Sequence, residues 1–216
     1  MPKKVSFLVD GFNMYHSLKQ LHGISKASVK WLDLVTLCKG YLQSVRAEIG
    51  ERVDLAQVHY FSARPDFLAI RKPDTVFRYD THIAAFRRSG VVVHLAQFKS
   101  KDTTCPQCKH RFRRPEEKET DVAMAMKMVE VLVRKECDTV VLVTGDTDLI
   151  PAIRTVNSLL PLAKIGVGFP FLRHNNSLRE AANYSFKINQ KDILRAQFPP
   201  EIVLPDGTKL TKPQSW

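Results

Sequence analysis

The strongest constraint on the fold is the way that short apolar runs alternate with helical patterns along the whole chain. The clearest run is TVVLVTG, residues 139–145, in which every residue before the glycine is apolar or β-branched. Strands of this kind are typical of parallel sheets that helices cover on both faces. Further runs of the same type are VSFLVD, DLAQVHYFSA, VVVHLAQF, KIGVGFP and the shorter SFKIN. The pattern therefore predicts an α/β fold with a mostly parallel central sheet and helices on both faces.

Helical patterns fill the spaces between these runs. The predicted helices cover residues 13–21, 31–49, 75–89 and 177–182, with another beginning near residue 148. In the helix that follows residue 115, apolar residues recur at helical spacing, at Val122, Ala125, Met126, Val129, Leu132 and Val133. We expect one domain over residues 1–198 and a proline-rich C-terminal tail over residues 199–216, which is either an ordered flap or a loose tail.

The composition indicates an anionic partner. The 216 residues include 33 Lys and Arg against 22 Asp and Glu, a formal charge of +11. Nucleic acid is the commonest partner of so basic a chain, although an indifferent basic surface would have the same composition. No run reaches the roughly 18 apolar residues that cross a membrane. Asp10 interrupts the first apolar run, which is too short for a signal peptide, so we expect a cytoplasmic protein with no membrane partner.

Acidic residues follow the predicted strands at places where parallel sheets bind ligands. Asp10 ends the first strand, and Asp146 and Asp148 come directly after TVVLVTG. The helix that begins near Asp121 leads into that strand, so a right-handed crossover places its N-terminus over the same edge of the sheet. Because ligands bind at the carboxyl ends of such strands, we expect these acids to converge there.

Carboxylates held close together repel one another unless a cation lies between them. A hard divalent ion with oxygen ligands is the natural partner, and Mg²⁺ or Mn²⁺ fits best. Such an ion activates water for the cleavage of phosphodiester bonds. The alternative is that the acids only cap turns and helices, and dipole compensation in the opening turns of the helix suffices for Glu116, Glu117 and Glu119.

Three segments of the chain resemble one known family. VDGFN, EKETDVAMA and VTGDTDLIP resemble the NYN domain family, whose LabA-like members belong to the wider PIN-like nuclease group, and the resemblance extends along nearly the whole chain. It implies a three-layer PIN-like fold and a metal-dependent endoribonuclease in which metal-activated water attacks phosphorus. The metal ligands that it implies are Asp10, Asp121, Asp146 and Asp148, the last either directly or through water. Asn13 would then bind metal, water or phosphate.

The resemblance has one departure, and it leaves two other functions open. Asn183 stands where the family often has an acid, so a catalytically weak or inactive RNA-binding module is one alternative. The other is a phosphatase of the haloacid dehalogenase type, because Asp-Thr-Asp after an apolar strand is similar to that group's motif. Gly145 before the pair and Leu149 after it differ from that motif, and VDGFN and EKETD would stay unexplained.

A basic segment with two cysteines, residues 99–115, interrupts the alternation and is predicted to be a loop inserted in the domain. Its cations are expected to hold RNA phosphates, while Phe98 or Phe112 stacks on a base. The alternative is a solvated loop with Phe112 packed in the core. The six predicted nucleic-acid contacts are Lys99, Lys101, Lys109, Arg111, Arg113 and Arg114.

The cysteines of this segment are candidate ligands of a structural zinc ion. Cys105 and Cys108 have the C-x-x-C spacing that supplies half of a zinc site, which normally needs four ligands. His110 and His94 are the candidates for a further ligand, although neither spacing is diagnostic. The alternative is a plain turn without metal, and a redox pair fits less well because the predicted setting is not a strand followed by a helix.

Overall fold

The computed structural model describes residues 1–214 and 216 of the chain. The central sheet has seven strands in the order β4-β3-β2-β1-β5-β6-β7, and each neighbouring pair is parallel except β3 with β4. The strands are β1 Lys3–Asp10, β2 Val53–Ala63, β3 Val92–Thr104, β4 Arg111–Lys118, β5 Thr139–Val143, β6 Lys164–Phe169 and β7 Tyr184–Lys187. The predicted α/β fold with a mostly parallel sheet is confirmed.

Helices cover both faces of the sheet and give it two separate cores. One core contains buried residues of α1, α2, α3, α4 and α8, and the other contains buried residues of α5, α6 and α7. All five residues of β5 are buried, which explains why this strand has no polar side. The helices are α1 Gly11–Ser25, α2 Leu34–Gly40, α3 Leu42–Ile49, α4 Pro73–Arg88, α5 Thr120–Val133, α6 Ile150–Leu159, α7 Asn176–Ala181 and α8 Gln190–Arg195.

The single helix predicted over residues 31–49 is wrong, because the segment forms two helices that meet at Tyr41. The Tyr41 hydroxyl donates to Asp192 Oδ2 at 2.7 Å and accepts from the Asn189 backbone N–H at 2.9 Å. These bonds hold the Tyr41 side chain against α8, at the point where α2 ends and α3 begins. The helix predicted from Asp148 begins instead with a short 3-10 turn, Thr147–Leu149, before α6.

The order of the strands creates a crevice between β1 and β5. From β1 the chain proceeds to β2 and β3 on one side, and from β5 it proceeds to β6 and β7 on the other. Helices that follow β1 and β5 therefore leave in different directions, and ligands of open α/β sheets bind at such a point. Asp10 is the last residue of β1, and its neighbour Val9 pairs with Val143 at the end of β5.

The loop predicted over residues 99–115 is also wrong, because most of it belongs to a β-hairpin. β3 continues past its pairing with β2 and pairs antiparallel with β4, from Gln97 opposite Lys118 to Thr104 opposite Arg111. The side chains here are mostly charged and exposed, so they lack the apolar alternation by which a half-buried strand is recognised.

The C-terminal segment is ordered as a second, smaller hairpin. β8 Glu201–Val203 pairs antiparallel with β9 Lys209–Thr211. The Trp31 indole N–H donates to the Pro199 carbonyl at 2.8 Å, and Arg88 Nε of α4 donates to the Val203 carbonyl at 3.4 Å. These contacts match the ordered flap rather than the loose tail, while the boundary at residue 198 stays a prediction. Among the described helices, none combines the length and the apolar character that a membrane span requires.

Candidate functional site

Three carboxylates from distant parts of the chain meet at the crevice between β1 and β5. One oxygen of each of Asp10, Asp121 and Asp146 lies within 4.8 Å of the others. Asp10 ends β1, Asp121 is in the first turn of α5, and Asp146 follows β5. The convergence expected from the right-handed crossover is therefore present.

Asp10 is the buried member of this group and is held by three donors. Its carboxylate accepts from the Asn13 backbone N–H at 2.9 Å and from Asn13 Nδ2 at 2.5 Å, while Thr144 Oγ1 donates to it at 2.8 Å. Only 3% of Asp10 is exposed, and this burial raises the pKa of its carboxyl against the lowering effect of the three bonds. The side chain is thus both the N-cap of α1 and a fixed oxygen donor.

The segment after β5 is tied to the same place by backbone bonds. The Asp146 N–H donates to Thr144 Oγ1 at 3.0 Å, and the Gly145 N–H donates to Asn13 Oδ1 at 3.4 Å. A Cβ at Gly145 would lie 2.3 Å from the carbonyl oxygen of Arg173, so only glycine fits at this close approach. The position of Asp146 is therefore set by its bond to Thr144 and by the contacts of Gly145 with Asn13 and Arg173.

The electrostatics of the group suit a bound cation. Burial, followed by the charges of Asp146 and Asp10, raises the pKa of Asp121 from 3.8 to about 6. Three carboxylates whose negative charges repel one another match the preference of hard divalent ions for carboxylate ligands. The residues present therefore fit a divalent metal ion, and Asp10, Asp121 and Asp146 are the side chains that would hold it.

Asp148 does not belong to the close group, although it was predicted as a further ligand. Its side chain is exposed, and its backbone N–H donates to Asp146 Oδ1 at 3.0 Å, so that Asp146 caps the 3-10 turn. The charge of Asp148 still contributes to the raised pKa of Asp121. A role as an outer residue that acts through water stays a prediction.

Glu117 is a fourth acid of the site that the sequence reasoning missed. It lies on β4 rather than in the opening turns of α5, and its side chain lines the same cleft as Asp10 and Asp121. Burial raises its pKa, whereas the bond from the Thr120 hydroxyl at 2.5 Å lowers it. The compensation of a helix dipole is therefore wrong as an explanation for Glu117 and also for Glu116, which is likewise in β4. Only a signal for the β4 strand would have revealed these positions.

The acids form one side of a cleft of about 460 Å³, and the β3–β4 hairpin forms another. Lys101 and Arg114, which pair across the hairpin, both line the cleft. Phe12 of α1 and Phe98 of β3 line it as well, with Phe98 edge-on against Phe67 at 4.9 Å between ring centroids. A polyanion in this cleft would meet cations and aromatic rings beside the carboxylates.

The six basic residues predicted to bind nucleic acid do not share one face. Because side chains of a strand alternate, Arg111 and Arg113 lie on the opposite face of the hairpin from Arg114. Of the six, Lys101 and Arg114 are the two that line the cleft. Phe112 is 43% exposed, so the alternative in which it packs in the core is wrong. Three of the six form exposed ion pairs, namely Lys99 with Glu119, Lys101 with Glu116 and Arg113 with Asp102.

The predicted zinc ligands are only partly brought together. Cys105 and Cys108 are free thiols at the turn between β3 and β4. His94 lies in the body of the sheet, where its Nε2 is 3.1 Å from His59 Nδ1 and its ring stacks on Phe61. Within the described part of the chain, His110 and the two cysteines do not form a group of three close ligands.

Asn183 lies far from the acids. Its Oδ1 accepts from the Ile165 N–H at 2.6 Å, and Ile165 pairs with Val140 near the amino end of β5. Val143, at the carboxyl end, is about 10 Å further along the strand. Asn183 is therefore not a missing ligand of the acidic group.

Comparison with known families agrees with this arrangement. The sequence model of the NYN domain family matches residues 4–189, which is most of the chain. The chain belongs to the NYN domain family. All three acids that converge at the crevice lie inside the matched region of this NYN domain, as does the whole β3–β4 hairpin.

Two individual proteins are similar to this NYN chain. A 6-hydroxy-3-succinoylpyridine 3-monooxygenase from Pseudomonas putida is 25% identical in an alignment 244 residues long. The alignment covers 100% of this chain and 76% of that protein. A crystal structure of a protein of unknown function from Vibrio parahaemolyticus has a TM-score of 0.53 at 17% identity, and the match covers 88% of this chain and 94% of that one. The latter likeness supports the fold alone.

Proposed function

We propose that this protein is a metal-dependent endoribonuclease that hydrolyses RNA phosphodiester bonds at the crevice between β1 and β5. Asp10, Asp121 and Asp146 would hold Mg²⁺ or Mn²⁺, which would supply an activated water and neutralise charge on the reacting phosphate. The proposal rests on one observation, the meeting of three carboxylates in a cleft that Lys101 and Arg114 also line.

The remaining residues of the cleft have supporting roles in this proposal. Asn13 and Thr144 hold the Asp10 carboxylate in place through hydrogen bonds, so they position a ligand rather than react. Lys101 and Arg114 bind phosphates of the RNA backbone, and Phe12 and Phe98 offer faces for unpaired bases. Glu117 accepts a hydrogen bond from Thr120 at the edge of the site and orients the start of α5, where Asp121 lies.

The direct test compares cleavage by the wild type with cleavage by Asp146→Asn. Labelled single-stranded RNA is incubated with each protein in Mn²⁺, in Mg²⁺ and in a chelator. We expect cleavage by the wild type only with metal, and a loss of at least about 100-fold in Asp146→Asn, because removal of a charged metal ligand costs several kcal/mol of transition-state stabilisation. Asp54→Asn is the matched control, since this exposed aspartate lies opposite Lys4 at the amino ends of the strands, away from the acids.

The other functions give different results in the same assay. RNA binding that survives chelation, with no cleavage in either metal, would identify an RNA-binding module with a degenerate site. A phosphoenzyme trapped at Asp146 would identify the phosphatase, which is disfavoured because the NYN match accounts for the segments that it leaves unexplained. Cleavage by Asp146→Asn at the wild-type rate would refute the metal-ligand assignment.

The Pseudomonas putida relative is named as a monooxygenase, but at 25% identity we do not assign that activity to this chain. The cleft of the present chain combines carboxylates with cations, which suits a phosphate backbone held beside a metal ion. Hydrolysis is therefore the reaction that we propose.

A further inference from the structure

The tip of the β3–β4 hairpin has the backbone of a metal-binding knuckle, which the acidic cleft does not use. The Lys109 N–H donates to the Cys105 carbonyl at 3.0 Å, and the Cys105 N–H donates to the His110 carbonyl at 2.9 Å. The turn thereby closes on itself and holds Cys105 and Cys108 in one tight loop at the tip of the hairpin. Two sulfur atoms on a tight turn are a chelating pair.

The residue that follows Cys108 also has an unusual backbone conformation. Lys109 has a φ of 57°, a left-handed conformation that is uncommon for a residue other than glycine and is held here by the bonds of the turn.

We propose that Cys105 and Cys108 form one half of a tetrathiolate zinc site that a second copy of this chain completes with the same two residues. A structural zinc ion is almost always bound by four ligands in a tetrahedron. In the chain as described, without residue 215, the one group of three or more close metal-binding side chains is the acidic one at the crevice. The two missing ligands therefore come from outside the chain, and an identical knuckle supplies them with matching geometry.

The exposure of the tip allows this contact. Cys108 is exposed and Cys105 is partly exposed, and the residues between them are exposed as well. Each thiol releases its proton to the solvent when the metal binds. The inference does not depend on the proposed nuclease activity.

The charge around the tip favours a second copy joined through metal rather than one that docks directly. Lys109 is in the turn, Arg111 and Arg113 follow it on β4, and Arg113 is paired with Asp102. Two such tips repel each other, whereas one Zn²⁺ with four thiolates is net negative and lies where it offsets both sets of cations. Association of the two chains is therefore expected to require the metal.

The test uses the full chain, purified in reductant, freed of metal by a chelator and then titrated with Zn²⁺ or Co²⁺ alone. We expect one thiolate-bound metal ion per two chains, in addition to any ion at the acidic cleft, and a mass that doubles from the 24.6 kDa of one chain in light scattering. Cobalt is expected to show the absorption of a tetrahedral thiolate site, which carboxylates do not produce, so uptake at the acidic cleft is distinguished. Cys105→Ser/Cys108→Ser is expected to abolish both signals, while His110→Gln and Asp146→Asn retain them.

Three outcomes would overturn the proposal. The first is a thiolate–cobalt spectrum from a protein that stays monomeric with one metal ion per chain. The second is loss of the spectrum in His110→Gln, because His110 would then be a ligand. The third is a wild-type spectrum and mass in the double serine variant, whose fold is checked by its unfolding temperature.

Discussion

Replacing Asp121 with asparagine is expected to stabilise the metal-free protein at neutral pH. In the folded chain, burial of the Asp121 carboxyl, together with the charges of Asp146 and Asp10 beside it, raises its pKa from 3.8 to about 6. The folded protein therefore binds more protons than the unfolded chain between these two pH values. The free energy of unfolding consequently falls as the pH rises through this window, and the destabilisation is complete above about pH 6.

The magnitude follows from the size of this pKa change. Each tenfold change in proton affinity corresponds to about 1.36 kcal/mol, so the rise in the pKa of Asp121 from 3.8 to about 6 would change the free energy of unfolding by about 3 kcal/mol if the carboxyl were fully buried. Asp121 is only half-buried, so solvent screening reduces the expected gain to about 1 kcal/mol. In a chain of this size, that gain raises the unfolding temperature by about 2–4 °C. Asparagine has nearly the shape of aspartate, so packing contributes little to the difference.

Thermal and denaturant unfolding between pH 4 and pH 8 measures this effect. In chelator, Asp121→Asn should be more stable than the wild type at pH 7 and should match it near pH 4, where the wild-type carboxyl is protonated. In Mn²⁺ the order should reverse, because only the wild type keeps all three carboxylates. Asp54→Asn, at the opposite edge of the sheet, should follow the wild type throughout. An Asp121→Asn protein that is less stable than the wild type in chelator at pH 7 would refute the reasoning.

Two further predictions concern residues outside the acidic group. Lys101→Ala/Arg114→Ala should lower RNA affinity and reduce the steepness of its salt dependence by about 1.4, or about 0.7 for each lost phosphate contact. Arg111→Ala/Arg113→Ala removes the same charge from the other face of the hairpin, and an equal loss there would contradict the cleft as the binding surface. Asn183→Asp should leave the Mn²⁺ affinity unchanged in calorimetry, because Asn183 lies at the amino ends of the strands, away from the acids. Tighter Mn²⁺ binding by this variant would contradict that placement.

The sequence was sufficient to predict the meeting of Asp10, Asp121 and Asp146. Parallel strands place their carboxyl ends on one edge, and the handedness of the crossover leaves one position for the N-terminus of α5. These rules apply over long stretches of chain because they depend only on strand type and order. They do not depend on the conformation of residues 99–118, which was predicted incorrectly.

The hairpin could not be predicted because its side chains have no buried face to mark it. A half-buried strand reveals its period through alternating apolar residues, and the charged residues of β3 and β4 carry no such signal. A loop has no alternating faces, so all six cations were equivalent as long as the segment was considered a loop. The pairing of Lys101 with Arg114 gives the two faces, whereas Glu117 lies on the face opposite to Arg114 and lines the cleft together with its pairing partner Phe98.

The Asp-Thr-Asp motif shows a finer limit of sequence reasoning, because it does not say which aspartate faces the crevice. The choice depends on hydrogen bonds over a few residues. The Asp146 N–H donates to Thr144 Oγ1, which itself donates to Asp10, so one hydroxyl links the end of β5 to the end of β1. Asp146 then caps the 3-10 turn and leaves Asp148 exposed. Thr144 thus helps to position both acids, because its hydroxyl donates to the Asp10 carboxylate and accepts from the Asp146 N–H.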